Sequence, residues 1–333
     1  MTRHIAIVTP VFDDWESFTA LIAEIAERFD GSGIAFHVLA VDDGSSAPFD
    51  LAGIAAPAGS CIADIEIVGL ALNLGHQRAI ATGLCAAVDH RDVEAVIVMD
   101  SDGEDRPVDI AKLLAAAERQ PGQVVLAHRA KRSETRVFRF WYAVYKLLFR
   151  ALTGRVISFG NYALLPMRAV RRLVHMPELW NNLAAAIMRS RLPYITVPTE
   201  RGTRYAGRSS MNLVALVVHG LSAMSVYTDM IFVRVLIAAG TLGAVSVLGI
   251  IGVTLIRFAT DLAIPGWATA VVGDLFIILL QTVVIVIATS LMMLAGRSNR
   301  PIIPIVDAWP FVAGRQSVDR GRAAASPRWR AQR

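Results

Sequence analysis

Two uncharged apolar runs near the C-terminal end constrain this chain more than any other feature. Val235–Ile256 and Leu275–Leu294 contain no Asp, Glu, Lys or Arg. As helices they would extend roughly 33 and 30 Å, enough to cross a hydrocarbon core of about 30 Å. Between them Ala259–Ala270 holds Asp261, Pro265 and Trp267, which reads as a short external loop with an interfacial aromatic. Two crossings return a chain to the side it left. Arg201, Arg204 and Arg208 precede the runs, and Arg297, Arg300, Arg315, Arg320, Arg322, Arg328, Arg330 and Arg333 follow them. Positive charge on both flanks places both in the cytoplasm. The expectation is a multi-pass protein of the inner (cytoplasmic) membrane, both termini inside, with 231–296 as the membrane region and 297–333 as a basic, disordered tail. Met211–Thr228 is also apolar but is diluted by Asn212, His219, Ser222 and Ser225. A third crossing would send the arginine-rich tail outside, so 211–230 reads as an in-plane juxtamembrane helix.

The rest of the chain reads differently. Hydrophobic residues make up 54% of the 333 and charged residues 18%, but the apolar excess lies in the spans, so residues 1–210 read as a globular domain. Met-Thr-Arg-His leads directly into a β-like run, which is no signal peptide and leaves this domain in the cytoplasm. Cys61 and Cys85 are the only cysteines, and without metal-ligand spacing they read as buried free thiols. Apolar runs at 4–9, 36–41, 65–70, 95–99 and 124–127 predict strands, and helical periodicity predicts helices at 15–29, 73–88 (opened by Asn73-Leu74-Gly75) and 107–119. This β-α-β order implies a Rossmann-like α/β domain with a mostly parallel sheet, whose ligands bind beyond the carboxyl ends of the strands. In 136–153, Phe138, Trp141, Tyr142, Tyr145 and Phe149 interleave with Arg139, Lys146 and Arg150. Two readings stand there: a core-packed helix, or a helix lying at the lipid interface.

Acidic turns close two of the predicted strands. Asp100-Ser101-Asp102 ends the fourth, with Glu104 and Asp105 in the same turn, and Asp42-Asp43-Gly44 ends the second. Clustered hard oxygen donors suit Mg²⁺ or Mn²⁺, which keep some water and bridge to substrate phosphates. The formal charge of +5 alone would admit nucleic acid, but the arginines gather after the last apolar run, so no nucleic-acid partner is expected. The strand–helix turns carry no G-x-G-x-x-G, and their carboxylates would repel a dinucleotide diphosphate without an intervening metal.

Thr9-Pro10-Val11-Phe12-Asp13-Asp14, Val41-Asp42-Asp43-Gly44-Ser45-Ser46, Asn73-Leu74-Gly75 and Asp100-Ser101-Asp102 occur in the order and spacing of family 2 glycosyltransferases, which this chain resembles. Met99–Pro107 is similar to the segment of dolichyl-phosphate mannose synthases and bacterial polyprenyl-phosphate glycosyltransferases, and Arg201–Ser209 to their arginine-rich loop. The resemblance implies a GT-A fold followed by an all-α membrane region with two transmembrane helices. It implies metal-dependent, inverting transfer of one hexose from a UDP- or GDP-sugar to a polyprenyl phosphate, supplying cell-envelope glycan modification. By position, Pro10, Asp14, Asp43, Asn73 and Asp100 would bind the nucleotide, and Asp100, Asp102 and Glu104 the metal. Arg129, Arg201 and Arg204 would join Asp100 and Asp102 in catalysis, and Arg136, Arg201, Arg204 and Ser209 would meet the acceptor phosphate. Relatives of this architecture are often homotetramers.

Two positions depart from the family. Gly160-Asn161-Tyr162-Ala163-Leu164 stands where relatives carry a Gly-Asp-Phe-Arg-Leu-like segment, and Ser210 where many have Lys. A lipid phosphate is already an anion and needs no base, so loss of that carboxylate suits a phosphate acceptor better than a hydroxyl. Another membrane lipid or glycan acceptor, or a non-catalytic membrane adaptor on the same scaffold, are the competing readings.

Overall fold

The computed structural model describes residues 2–46, 60–129, 136–154, 159–206, 221–260, 266–298 and 300–318. The chain divides into two compact units, one of residues 1–139, 157–226 and 302–333, the other of 140–156 and 227–301.

The first unit is built on one eight-stranded sheet. Its strands are β1 (Arg3–Val11), β2 (Ile34–Asp42), β3 (Ile62–Leu70), β4 (Ala95–Val98), β5 (Val124–Arg129), β6 (Ala163–Pro166), β7 (Tyr194–Thr199) and β8 (Val312–Ser317), in the order β7-β5-β6-β4-β1-β2-β3-β8. Pairings β1–β2, β1–β4, β2–β3 and β5–β7 are parallel. Strand β6 runs antiparallel between β4 and β5, and β8 runs antiparallel along β3. Because β4 and β5 both oppose β6, they point the same way, and the carboxyl ends of β1, β2, β4 and β5 share one rim.

Strand residues alternate between faces, and both faces are apolar, as a sheet covered on both sides requires. On one face Val8, Leu39, Val68, Val96 and Leu165 pack under α2 (His76–Ala87), α5 (Met167–Leu173) and α6 (Leu183–Ser190). On the other, Ile7, Val38, Ile67, Ile97 and Leu164 pack under α1 (Trp15–Phe29) and α3 (Ile110–Arg119). Within α2, Gly83 sits where an added Cβ would stand 2.5 Å from the Val8 side chain, so the glycine lets the helix lie directly on β1.

The second unit contains α4 (Arg136–Thr153) from its fifth residue on, and two long helices, Thr228–Ala259 and Trp267–Ser298. An 18-residue window reaches a mean hydropathy of 2.2 in the first and 2.6 in the second, and both helices are long and apolar enough to cross a membrane. They meet along small residues. Ala239, Gly243 and Ser246 recur at helical spacing and are buried, and a Cβ at Gly243 would touch Leu279 and Thr282 at 3.6 Å. The α4 helix ends on Gly154 at φ 71, whose N–H donates to Arg150 O, and the Arg234 guanidinium donates to Ala151 O at 2.5 Å.

Several sequence expectations change. The helices extend beyond the uncharged runs, so Ala259 and Trp267–Ala270 are helical rather than loop, while 261–265 lie outside the described residues. Thr228, Asp229 and Met230 belong to the first long helix and not to a separate in-plane helix. Of that juxtamembrane segment, 211–220 lie outside the described residues. The largest correction concerns 297–333. Pro304–Asp307 forms a short helix, Ala308 is fully buried in the core, and β8 completes the sheet. The segment folds because Trp309, Phe311 and Val312 supply apolar surface for the α2 face, and the main chain of β8 satisfies the open edge of β3. Residues from 319 on lie outside the described part. Cys85 is buried as expected, whereas Cys61 is partly exposed, and the two do not form a disulfide.

Candidate active site

The rim is assembled from three turns. The first joins β1 to α1. Asp13 adopts φ 51, held by Ser46 N–H donating to its Oδ1 at 2.7 Å and by its own N–H donating to Ser45 Oγ at 2.9 Å. Pro10 is buried, and its carbonyl accepts from Ser101 Oγ at 3.1 Å. Asp14 precedes α1.

The second turn follows β2. Asp43 is 4% exposed, and its carboxylate accepts from Leu74 N–H at 2.7 Å and Gly75 N–H at 3.0 Å. Burial raises its carboxyl above the usual range against the pull of those two donors. Expected to accept from base or ribose, Asp43 here fastens the Asn73–Gly75 turn that opens α2. Gly44, at φ 74, allows the close approach: an added Cβ would lie 2.7 Å from Asn73 N. Asn73 itself is exposed at this rim.

The third turn, after β4, carries the carboxylates. Asp105 is buried, and its Oδ2 accepts from Asp100 N–H at 3.0 Å, which draws the turn tight. Asp102 Oδ1 accepts from Glu104 N–H at 2.9 Å. Burial first and the Asp100 charge second raise the Asp102 carboxyl above its ordinary value. Crowded carboxylates of this kind are stabilised by a cation.

The arginine loop after β7 is joined to this third turn by its backbone. Gly202 N–H donates to Glu104 O at 2.9 Å and Tyr205 N–H to Asp102 O at 3.0 Å. The approach is so close that a Cβ at Gly202 would stand 2.0 Å from the Gly103 carbonyl oxygen. Gly103, at φ 88, lies under the Tyr205 ring, whose hydroxyl donates to Glu24. The loop thereby delivers two guanidiniums to the carboxylates: Arg204 lies 3.0 Å from Asp102 and 3.9 Å from Asp14, and Arg201 lies 2.5 Å from Glu104. Arg129 ends β5 in register with Thr199, two residues before Arg201. Arg136 opens α4, and neither its side chain nor Ser209 is among the described residues.

The sequence reading missed the group beside Asp100. His76 Nε2 lies 3.3 Å from Asp100 Oδ1 and 3.0 Å from Asn161 Nδ2. The ring is 42% exposed, and against its partial desolvation the Asp100 carboxylate, backed by Asp105 and Asp43, shifts its pKa upward. Asn161 Oδ1 accepts from Gln77 Nε2 at 3.1 Å, and Gln77 Oε1 accepts from Leu183 N–H at 2.9 Å, at the first turn of α6. The altered segment around Asn161 is thus part of a polar chain from Asp100 to α6. The available signal was the position of His76 directly after Asn73-Leu74-Gly75.

Residues 6–174 match the family model described as "Glycosyl transferase family 2", more than half of the 333 residues. Undecaprenyl-phosphate 4-deoxy-4-formamido-L-arabinose transferases of Salmonella paratyphi B and Salmonella newport are each 25% identical over 285 residues, covering 83% of this chain and 83% of theirs. Among solved structures, glucosyl-3-phosphoglycerate synthase of Mycobacterium tuberculosis with Mn²⁺, UDP-glucose and phosphoglyceric acid is 15% identical with a TM-score of 0.47, covering 69% of this chain and 80% of that one. A structure described as a mycobacterial protein is 14% identical with a TM-score of 0.48, covering 68% and 74%.

Proposed function

The chain is a glycosyltransferase that belongs to glycosyl transferase family 2, and on that footing we propose that it transfers a single sugar from a nucleotide sugar to a polyprenyl phosphate at the cytoplasmic membrane face, with inversion. The observation that carries the reading is the pairing of the two joined loops. Two carboxylates, Asp102 and Glu104, pair with two guanidiniums, Arg204 and Arg201, and Asp100 stands in the same turn beside His76. Carboxylates of this kind are complementary to a divalent cation, and guanidiniums to a diphosphate.

Hard oxygen donors in one turn, with the Asp102 carboxyl raised by burial and then by the Asp100 charge, fit Mg²⁺ or Mn²⁺. Asp100, Asp102 and Glu104 would hold the ion, and when bound it supplies charge neutralisation for a diphosphate leaving group. The remaining work belongs to the chain. Pro10, Asp14 and Asn73 border the nucleoside side of the rim, and Asp43 keeps that wall in place through Leu74 and Gly75. Arg129, Arg201 and Arg204 bind phosphate oxygens of donor or acceptor. The acceptor phosphate is ionised at neutral pH, so its oxygen attacks the anomeric carbon directly and the nucleoside diphosphate departs from the opposite face. No group has to remove a proton, which is consistent with an amide at Asn161.

The lipid acceptor is supported by the relatives' printed activity and by the two long apolar helices, which we read as crossing the membrane. Val144, Leu147 and Leu148 of α4 are exposed, Leu147 to 70%, which favours the lipid interface over core packing for this helix.

The test is to incubate the detergent-solubilised enzyme with polyprenyl phosphate and a panel of nucleotide sugars. The panel pairs UDP- and GDP-hexoses with a nucleotide-linked 4-deoxy-4-formamido-L-arabinose, the sugar in the relatives' activity. The expected product is an acid-labile glycosyl phospholipid with inverted configuration, dependent on Mg²⁺ or Mn²⁺. Asp102→Asn should lower turnover at least ~100-fold. Formation of a glycolipid without a phosphate linkage would replace the acceptor assignment, and full activity of Asp102→Asn would remove the metal assignment.

A further inference from the structure

Toward the opposite rim of the sheet, three neighbouring strands change character within two residues of one another in register. On the face that packs under α2, β1 runs Val8, Ala6, then His4; β2 runs Val41, Leu39, then His37; β3 runs Leu70, Val68, then Glu66 and Asp64. Side chains two apart share a face, so each apolar row ends in polar, ligand-type side chains beside one another. His90, just beyond the end of α2, closes over them.

We propose that His37, Asp64 and His90 bind a divalent transition-metal ion of the zinc class, at a site separate from the Asp100–Glu104 turn. One ligand atom from each of the three lies within 4.8 Å of the others. His37 Nδ1 is 2.9 Å from Asp64 Oδ1, and His90 Nε2 is 3.3 Å from Glu66 Oε2, which offers a fourth donor. Ligands about 2.0–2.1 Å from a tetrahedral zinc stand roughly 3.3 Å from one another, so only small rotamer changes close the set. Two imidazoles with carboxylate oxygen select zinc-like ions over Mg²⁺, which prefers oxygen alone.

The surroundings are those of a metal centre. A ligating histidine ordinarily donates its second ring N–H to a partner, and His37 Nε2 lies 2.9 Å from His4 Nδ1 with the two rings stacked. The charge also balances. Arg315 of β8 pairs with Glu66 and, at 2.8 Å, with Asp89. Among the described residues, that one guanidinium offsets one of the three carboxylates Asp64, Glu66 and Asp89, leaving the charge a dication would neutralise. His37, His90 and Glu66 side chains are 16%, 20% and 16% exposed, while Asp64 at 42% leaves a path for the ion. Along β1 the six steps from His4 to Pro10 separate this end of the sheet from the catalytic rim by about 20 Å. An ion here would cross-link the starts of β2 and β3 to the end of α2, with His4 of β1 behind His37.

The experiment uses the untagged full chain in detergent, stripped with a chelator and supplied with Zn²⁺ alone, or with Co²⁺ as a visible-absorbing substitute. Wild type and Asp102→Asn should each retain about one equivalent of Zn²⁺ on desalting and show the absorption of nitrogen-ligated, tetrahedral Co²⁺. His37→Asn and His90→Gln should lose that equivalent while keeping glycosyl transfer, and His4→Phe should weaken it ~10-fold. Should those variants fail to fold, Zn²⁺ must still raise the Tm of Asp102→Asn, whose catalytic turn has lost a carboxylate while this cluster is intact. Zn²⁺ that disappears with Asp102→Asn, or that survives loss of both histidines, overturns the proposal. So does an Asp102→Asn chain that neither retains Zn²⁺ nor melts higher with it, which would make the cluster a hydrogen-bonded network only.

Discussion

Residue by residue, the rim depends on atoms too small to look catalytic. Gly202 is the sharpest case, because nothing larger fits between its Cα and the Gly103 carbonyl. Gly103 cannot withdraw easily, since it sits at φ 88 with the Tyr205 ring against it. A methyl group there must push the arginine loop off the carboxylate turn, breaking the Gly202–Glu104 and Tyr205–Asp102 backbone bonds and moving Arg201 and Arg204. Gly202→Ala should therefore cost about 1–3 kcal/mol of stability and far more of activity. We expect kcat/KM to fall at least ~100-fold while its exposed neighbour Thr203→Ala stays near wild type. Equal rates for the two variants would show that the loop does not need this contact to place its guanidiniums. The acidic residues and arginines of this site were legible as residue types in sequence. Their partnership was not, because ninety-odd residues separate Glu104 from Arg201 and the contact rests on two glycines. His76 and Gln77 were missed for a related reason: on α2 they look like an ordinary polar start, and only the antiparallel β6 brings Asn161 within reach.

At the level of elements, the long strands β1, β2 and β3 and helices α1 to α3 were readable because each carries a continuous apolar run or a clean helical period. Short or mixed elements were not. The four residues of β6 give too little pattern to distinguish from a loop, although this strand links the two parallel halves of the sheet. Val312–Ser317 reads as tail because Gly314, Arg315 and Gln316 are not β-formers; it becomes a strand through pairing with β3. Its removal tests that account. Ending the chain after Pro301 opens the edge of β3 along Glu66–Leu70 and strips buried Ala308, with Trp309 and Phe311, from the α2 face. An open edge of this kind also templates association. The truncated protein should melt at least ~10 °C lower or aggregate on extraction, a loss of several kcal/mol for a domain of this size. If it melted and turned over like the full chain, β8 would be an accessory to the sheet and not part of it.

For the whole molecule, the same strand bears on a question that the arginine count left to statistics. The chain enters the pair of long helices after Val226 and returns by Ile302 to the unit it left, since β8 lies in the same sheet as β1 to β7. A membrane crossed by those helices must be crossed an even number of times between these points, whatever the charges outside them favour. The positive-inside tendency then has only to choose the side, and on our proposal Arg201, Arg204, Arg297 and Arg300 favour the cytoplasm. Our reading is that Thr260, at the end of the first long helix, faces the far side and Ser317 the cytoplasm. In a cysteine-free background, a Thr260→Cys chain in intact cells should react with a membrane-impermeant maleimide, and a Ser317→Cys chain only after permeabilisation. Labelling of Ser317→Cys from outside would invert the topology and place the catalytic rim away from cytoplasmic nucleotide sugars. Protection of Thr260→Cys in both conditions would instead mean that the two helices lie in one leaflet, where 32 residues of helix, about 48 Å, exceed the roughly 30 Å hydrocarbon core and have no need to span it.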